Sequence, residues 1–211
     1  MTLDRAGFPF IGGAAIPTLT LLLAGQASLA LALTILPVAV ALFFRDPERH
    51  APNEPDVVVS PADGRVLYVG PGQRGIAPPG DWNQVSIFLS PLDVHVNRVP
   101  VSGRITRVDY QPGQFFPAYR TDAGTHNERS EVWLDHEGQD VVFRQVVGAL
   151  ARRVVCRVTT GTPVQTGDRF GIMKFGSRMD LFLPPDAALL IEEGRRVRGG
   201  ETIVARLIRS S

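Results

Sequence analysis

The sequence has a single cysteine, Cys156, so no disulfide forms within the chain and nothing in it asks for an oxidising compartment. That cysteine lies in Val154-Val-Cys-Arg-Val158, an alternating apolar run where it reads as a small core residue rather than a nucleophile. Lysine is as scarce, Lys174 being the only one. Neither sign of charge prevails: 22 basic residues face 21 acidic ones, so no overall field draws in nucleic acid, and none is expected as a partner. Walker and dinucleotide glycine fingerprints are both missing. The four histidines, His50, His95, His126 and His136, show no His-x-His or His-Glu-x-x-His spacing, so no metal centre is expected.

Charge is missing altogether from residues 7–44, a run of 38 positions. One membrane span takes about 20 apolar residues, so this run suits two short helices better than one. Gly25-Gln26 with Ser28 forms the polar break near its middle, and Pro17 and Pro37 interrupt the two halves, which membrane helices tolerate better than soluble ones. The run is too long for a signal-peptide core and lacks a basic leader. A hairpin brings Arg5, Arg45 and Arg49 to one side, which the positive-inside rule makes cytoplasmic. The expectation is a membrane anchor over residues 1–46 at the inner membrane, with the remainder on the cytoplasmic face; the competing reading is a helix pair buried in a core.

Residues 45–55 are polar and proline-punctuated, as a linker is. Beyond them apolar residues alternate in runs at 57–59, 66–69, 85–89, 104–110, 131–134, 141–147 and 152–159, bounded by Gly and Pro about every ten residues. That rhythm predicts a mainly β domain over residues 47–211, with only a short helical turn near 118–125. Two stretches echo each other as Val-x-x-Gly followed by an acid: Val164 to Asp168 and Val197 to Glu201. Such turns join strands in biotinyl- and lipoyl-carrier folds, which makes the expected architecture a barrel-sandwich-hybrid-like domain, its glycines shaping turns.

Against this background stand three polar islands and one Gly-Ser junction. Ser60-Pro-Ala-Asp-Gly-Arg65 reads alone as a turn. In Ser90-Pro-Leu-Asp-Val-His-Val-Asn-Arg-Val-Pro-Val-Ser-Gly103, Asp93, His95, Asn97 and Val99 share one strand face. Gly124-Thr-His-Asn-Glu-Arg-Ser130 reads alone as a solvated loop. Gly176-Ser177 sits within the strand-like run 170–184, near Lys174, Arg178 and Asp180. Asp63, His95 and Ser177 are the right residue types for a serine hydrolase, but no Gly-x-Ser-x-Gly elbow surrounds the serine. Lys174, flanked by Ile-Met and Phe, loosely resembles a carrier's modifiable lysine. A membrane-tethered carrier module and a membrane-bound serine hydrolase are therefore the alternatives carried forward.

In order, Ser-Pro-Ala-Asp-Gly at 60–64, Asp-Val-His at 93–95, Pro-Val-Ser-Gly at 100–103, His-Asn-Glu-Arg at 126–129 and Phe-Gly-Ser-Arg-Met-Asp at 175–180 resemble the short bacterial form of phosphatidylserine decarboxylase. Phe43-Phe-Arg-Asp-Pro47 resembles the join after its membrane segment. The resemblance implies a proenzyme that cuts itself between Gly176 and Ser177 into a large chain, 1–176, and a small chain, 177–211, which stay associated. Ser177 would become an N-terminal pyruvoyl cofactor, and this would form a Schiff base with phosphatidylserine and release phosphatidylethanolamine. Self-cleavage would rest on Asp63, His95 and Ser177, with His95 also the first choice as proton donor. Where longer relatives carry His-Arg-x-His, this chain has His95-Val-Asn-Arg98, so roles divided between two imidazoles fall on His95 or on a substitute such as His126. Arg98, Arg129 and Arg178 are candidates for the lipid phosphate or carboxylate. The phospholipid in the bilayer is the expected partner, and self-association into a homo-oligomer is left open.

Overall fold

The computed structural model describes residues 2–149, 154–174 and 176–208. The chain divides into two compact units, Met1–Glu48 and Arg49–Ser211.

The first unit is helical. Short strands β1 (Thr2–Leu3) and β2 (Arg45–Asp46) pair antiparallel and bring its two ends together. Between them run α1 (Phe8–Leu23), α2 (Ala27–Leu33) and α3 (Ile35–Phe43), the turn between α1 and α2 falling at Gly25, φ 74°. With the helical turn before it, α1 extends over Arg5–Leu23, 19 residues, long and apolar enough to cross a membrane; Ala27–Phe43 is shorter. Pro17 and Pro37 remove backbone donors inside α1 and α3. Gly7 allows close packing, since a Cβ there would lie 2.5 Å from the Phe44 ring, on which Phe10 also stacks. The hydrophobic hairpin expected from the uncharged run is thus built from three helices.

The second unit is mainly β, as the alternation predicts. Its strands are β3 (Val57–Val59), β4 (Gly64–Pro71), β5 (Asn83–Leu89), β6 (Val96–Arg98), β7 (Gly103–Gln111), β8 (Arg129–His136) and β9 (Gln139–Val147). They continue as β10 (Val154–Cys156), β11 (Pro163–Val164), β12 (Arg169–Met173), β13 (Ser177–Leu183), β14 (Ala188–Leu189), β15 (Arg196–Val197) and β16 (Ile203–Arg206). A single turn, α4 (Ala123–His126), interrupts them. An eight-stranded antiparallel sheet in the order β11-β7-β8-β9-β13-β5-β4-β15 curls against two three-stranded sheets, β10-β12-β6 and β14-β16-β3. Val66, Ile87, Leu134, Phe143, Phe170, Met179, Leu181 and Val204 belong to the one core enclosed between them. Of the expected run 152–159, the first two positions lie outside the described residues.

The two echoed turns meet. Gly167 and Gly200 carry φ of 86° and 79°, the left-handed conformation that glycine adopts without strain, and a Cβ on Gly200 would lie 3.6 Å from the Gly167 Cα. The acid of the second turn, Glu201, receives Arg49 at 2.7 Å, while the other arm of Arg49 reaches Asp63 at 2.8 Å. Burial pushes the Glu201 carboxyl up, but the hydrogen bond and charge of Arg49 outweigh it and hold the group below the usual carboxylate range. A depressed carboxyl stabilises the fold above its unfolded pKa and loses that contribution as pH falls through the folded value. Glu201→Gln is therefore expected to be less stable than the native chain at pH 7, with the gap closing toward pH 3; chemical denaturation across that range measures it.

Candidate functional site

Ser177 opens β13, which is paired on both sides over Ser177–Phe182. It faces Leu89 of β5 and Val147 of β9. Alternation puts Ser177 on the same face as Met179, Leu181 and Leu183, which point into the core. Its Oγ is buried and has no hydrogen-bond partner among the described residues. An unmet buried hydroxyl costs about 1–3 kcal/mol, which marks a serine kept for chemistry rather than for packing. The residue before it, Gly176, has φ 73°, and a Cβ there would meet nothing within 4 Å. Glycine is thus required here for its backbone conformation, not for space. At Gly148 the reverse holds: a Cβ would lie 2.1 Å from the Gly176 carbonyl oxygen, so only glycine lets the end of β9 pass so close. Phe175, the first residue of the Phe-Gly-Ser motif, lies outside the described residues.

His95 is brought directly to this junction. The Met173 amide donates to its carbonyl, which holds the start of β6 against the end of β12. Its Nδ1 lies 2.9 Å from the Asp93 carbonyl, and its Nε2 accepts from the Gly176 N–H at 3.4 Å. A carbonyl only accepts, so Nδ1 carries the proton and the lone pair of Nε2 faces the Gly176 N–H, one peptide before the Gly176–Ser177 bond. A buried imidazole with its Nε2 lone pair turned toward Gly176 is the tautomer a general base there would use. Asp93 is itself fixed: it caps the turn by accepting from the amide and hydroxyl of Ser90, and its other oxygen pairs with Arg196.

Asp63 sits on the turn that precedes β4, one residue after Ala62, and this turn abuts β6 through the bond from Arg98 N–H to the Pro61 carbonyl. Its carboxylate accepts from the Gly199 amide at 2.7 Å and from Arg49. Arg98 runs along Gly200, where a Cβ would lie 2.6 Å from its Cδ, and donates to the Gly167 carbonyl at 3.0 Å. It is thus wedged between the two echoed turns. Arg178 faces away from Ser177, on the outer side of the sheet, paired with Asp180 at 2.6 Å and bonded to Ser86 at 3.1 Å. Arg129 opens β8 and donates to the Thr125 carbonyl; burial, and then the charge of Arg144, lower its pKa. His126 ends α4, exposed, its ring edge toward Phe116. Of the predicted site residues, the structure thus gathers Gly176, Ser177 and His95 at one point, sets Asp63 on the turn alongside β6, and spreads the remaining candidates over the periphery.

Three buried amides at this end of the sheet escaped the sequence reading of roles. Asn127 accepts from Phe116 N–H and donates to the carbonyls of Phe116 and Val147, tying the loop before α4 to the strand beside Ser177. Gln145 donates to Asn97 Oδ1 at 2.8 Å across the interior, its amide seated on Gly171, where a Cβ would lie 2.8 Å away. Asn97 shares a strand face with His95, and that alternation was the one signal the sequence offered. Among the described residues no three His, Cys, Asp or Glu side chains are grouped to hold a metal.

The sequence matches the family described as phosphatidylserine decarboxylase over residues 37–205. It is 50% identical over 165 residues to the phosphatidylserine decarboxylase proenzyme of Pelodictyon phaeoclathratiforme, covering 78% of this chain and 77% of that one. The corresponding proenzyme of Desulfotalea psychrophila is 39% identical over 206 residues, 97% of this chain and 96% of the other. That of Saccharopolyspora erythraea is 40% identical over 210 residues, 97% and 88% of the two chains.

Removing the Asn127 side chain strips a partner from three backbone groups. Asn127→Ala is expected to cost about 1–3 kcal/mol and to free the loop at 112–122, seen as faster hydrogen exchange at the Phe116 amide while the amides of β5 stay protected.

Proposed function

The chain belongs to the phosphatidylserine decarboxylase family, and from that premise we propose that it converts phosphatidylserine to phosphatidylethanolamine and CO₂ with a pyruvoyl group made from its own Ser177. The observation that carries this reading is the buried, unpartnered Ser177 Oγ beside Gly176 and the Nε2 lone pair of His95.

Self-processing would have the unpartnered Ser177 Oγ turn to the His95 Nε2 that now accepts from the Gly176 N–H. His95 Nε2 takes the Ser177 hydroxyl proton as Oγ attacks the Gly176 carbonyl carbon; the amide nitrogen leaves with a proton, and an ester links the two residues. Loss of the Ser177 Hα then breaks the Cβ–Oγ bond, freeing Gly176 as a carboxylate and leaving a carbon–carbon double bond. Water replaces the nitrogen, which departs as ammonia, and an N-terminal carbonyl remains. The Asp93 carbonyl holds Nδ1–H of that imidazolium, and Asp63, bonded to Gly199 and Arg49, would support it through its charge. The left-handed Gly176 leaves its carbonyl open to this attack, which fits the group to the site.

The cut does not dismantle the fold. β13 pairs with β5 and β9, β15 with β4, and β16 with β3, and each of those partners lies before the cut. The small chain is thereby held at the centre of the large one. A pyruvoyl carbonyl at its head supplies an electron sink for the charge left when CO₂ departs. His95 then returns a proton to the carbon that lost the carboxylate. The apolar hairpin would hold the enzyme at the inner membrane, with its catalytic unit on the cytoplasmic face where the lipid is locally concentrated. The paired ends of the hairpin, carrying Arg5 and Arg45, support that orientation.

Intact-mass spectrometry of the purified protein tests the reading. Two chains are expected, the smaller starting at residue 177 with a blocked N-terminus and a mass below that of a serine-initiated peptide. Ser177→Ala should remain one uncut, inactive chain, and His95→Ala should slow the cut by about 10²–10⁴-fold. A single intact native chain that turns over substrate would defeat the proposal.

A further inference from the structure

His95 and Asn97 on β6 face Ser177 and Gln145 across the interior. On β13 and β9, Ser177 is directly opposite Val147 and Met179 is opposite Gln145, so Gln145 is the diagonal neighbour of Ser177 on the inner face. Diagonal residues stand about 7–8 Å apart, within reach of a small group attached at Ser177. Two polar rungs therefore cross the sandwich: His95 to Gly176 above, and Asn97 to Gln145 below.

The lower rung is incomplete. All four side chains are fully buried at 0% exposure, yet Asn97 Nδ2 and Gln145 Oε1 have no partner among the described residues. Exchanging the O and N of both amides changes nothing essential: one then still presents an unmet N–H and the other an unmet carbonyl. Ser130, opposite Gln145 on β8, adds a hydroxyl to the same face. A pair meant only to cross-link the sheets would leave no such deficit, because each unmet group costs about 1–3 kcal/mol. Gly171 shows that the placement is built in, since any side chain there would collide with the Gln145 amide.

We propose that Asn97 and Gln145 form the subsite for the carboxylate of the lipid's serine headgroup. This rests on the function proposed above. The unmet amide N–H donates to the carboxylate. Neutral donors suit a group that must lose its charge as CO₂. A guanidinium in their place would stabilise the carboxylate more than the transition state, and so slow its departure. The arginines near the site accord with this: Arg178 faces outward, and Arg98 is wedged against Gly167 and Gly200.

Asn97→Leu and Gln145→Met, purified as full chains in detergent micelles, test the assignment against phosphatidylserine and against phosphatidylethanolamine as inhibitor. The two lipids share amine, phosphate and acyl chains and differ in the carboxylate. With cleavage into two chains complete by mass, the variants should raise KM for phosphatidylserine by about tenfold or more, as loss of a hydrogen bond to a charged group implies. Inhibition by phosphatidylethanolamine should stay within about twofold of native, the scatter expected when no such bond is lost. An unchanged KM, or an equal weakening toward both lipids, would overturn the assignment and leave the rung a structural cross-link. If a variant fails to process, Gln145→Glu keeps the shape and adds an acid. Its KM should rise with pH as that acid ionises and repels the substrate, whereas a flat profile counts against the subsite. An uncut native chain would instead strike at the pyruvoyl chemistry itself.

Discussion

Everything at the site depends on the double pairing of β13. Because this strand is paired on both edges along Ser177–Phe182, its first residue is held in register, and the side chain of Ser177 is committed to the interior. A hydroxyl committed inward follows Gly176, whose N–H is bonded to His95 just ahead of β6. The same pairing lets a backbone cut at the strand's head leave the strand in place. Cleavage there removes one covalent bond and none of the ladder, so that a new N-terminus can be made inside a finished core rather than at a frayed end.

The two faces of β13 are buried for different reasons. Inward, Ser177, Met179, Leu181 and Leu183 meet the main core. Outward, Arg178 and Asp180 form a buried ion pair completed by Ser86, itself bonded to Gln84, while Phe182 packs with Ile76 and Val142 beneath Trp82 and Trp133. A buried pair gains little net stability over an apolar one, but breaking it is costly. Its effect is one of register: a slip of one residue would turn Arg178 into the core and Ser177 out of it. The charged pair on the outer face thus fixes the orientation of the serine on the inner one.

Much of this was legible in the sequence, and what was not follows a pattern. A strand with one wetter face, such as β8, alternates and announces itself. β13 does not alternate, since both faces are covered, and only its Gly-Ser head drew attention. The echoed turns were readable because left-handed glycine is a local requirement. The roles of Asn127 and Gln145 were not, for each is defined by partners 11 to 48 positions away. A buried amide in a β-run looks in sequence like any polar residue on a wet face. His95 and Asp63 were found because they stand in recognisable islands, yet the carboxylate's hold on Arg49 and Gly199 belongs to the folded chain alone.

Arg98 shows how the fold and the chemistry share one short strand. Alternation turns Val96 and Arg98 to one face of β6 and His95 and Asn97 to the other. On its side Arg98 donates to the Gly167 carbonyl and lies along Gly200, where a Cβ would come within 2.6 Å of its Cδ. A guanidinium is suited to this wedge: it is always charged, planar, and able to donate to a backbone carbonyl. An imidazole is shorter and has fewer donors. With arginine spent on holding the turns together, the base of the proposed self-cleavage falls to His95, just before β6, and the Asp93 carbonyl, by fixing its Nδ1 proton, directs the Nε2 lone pair to Gly176.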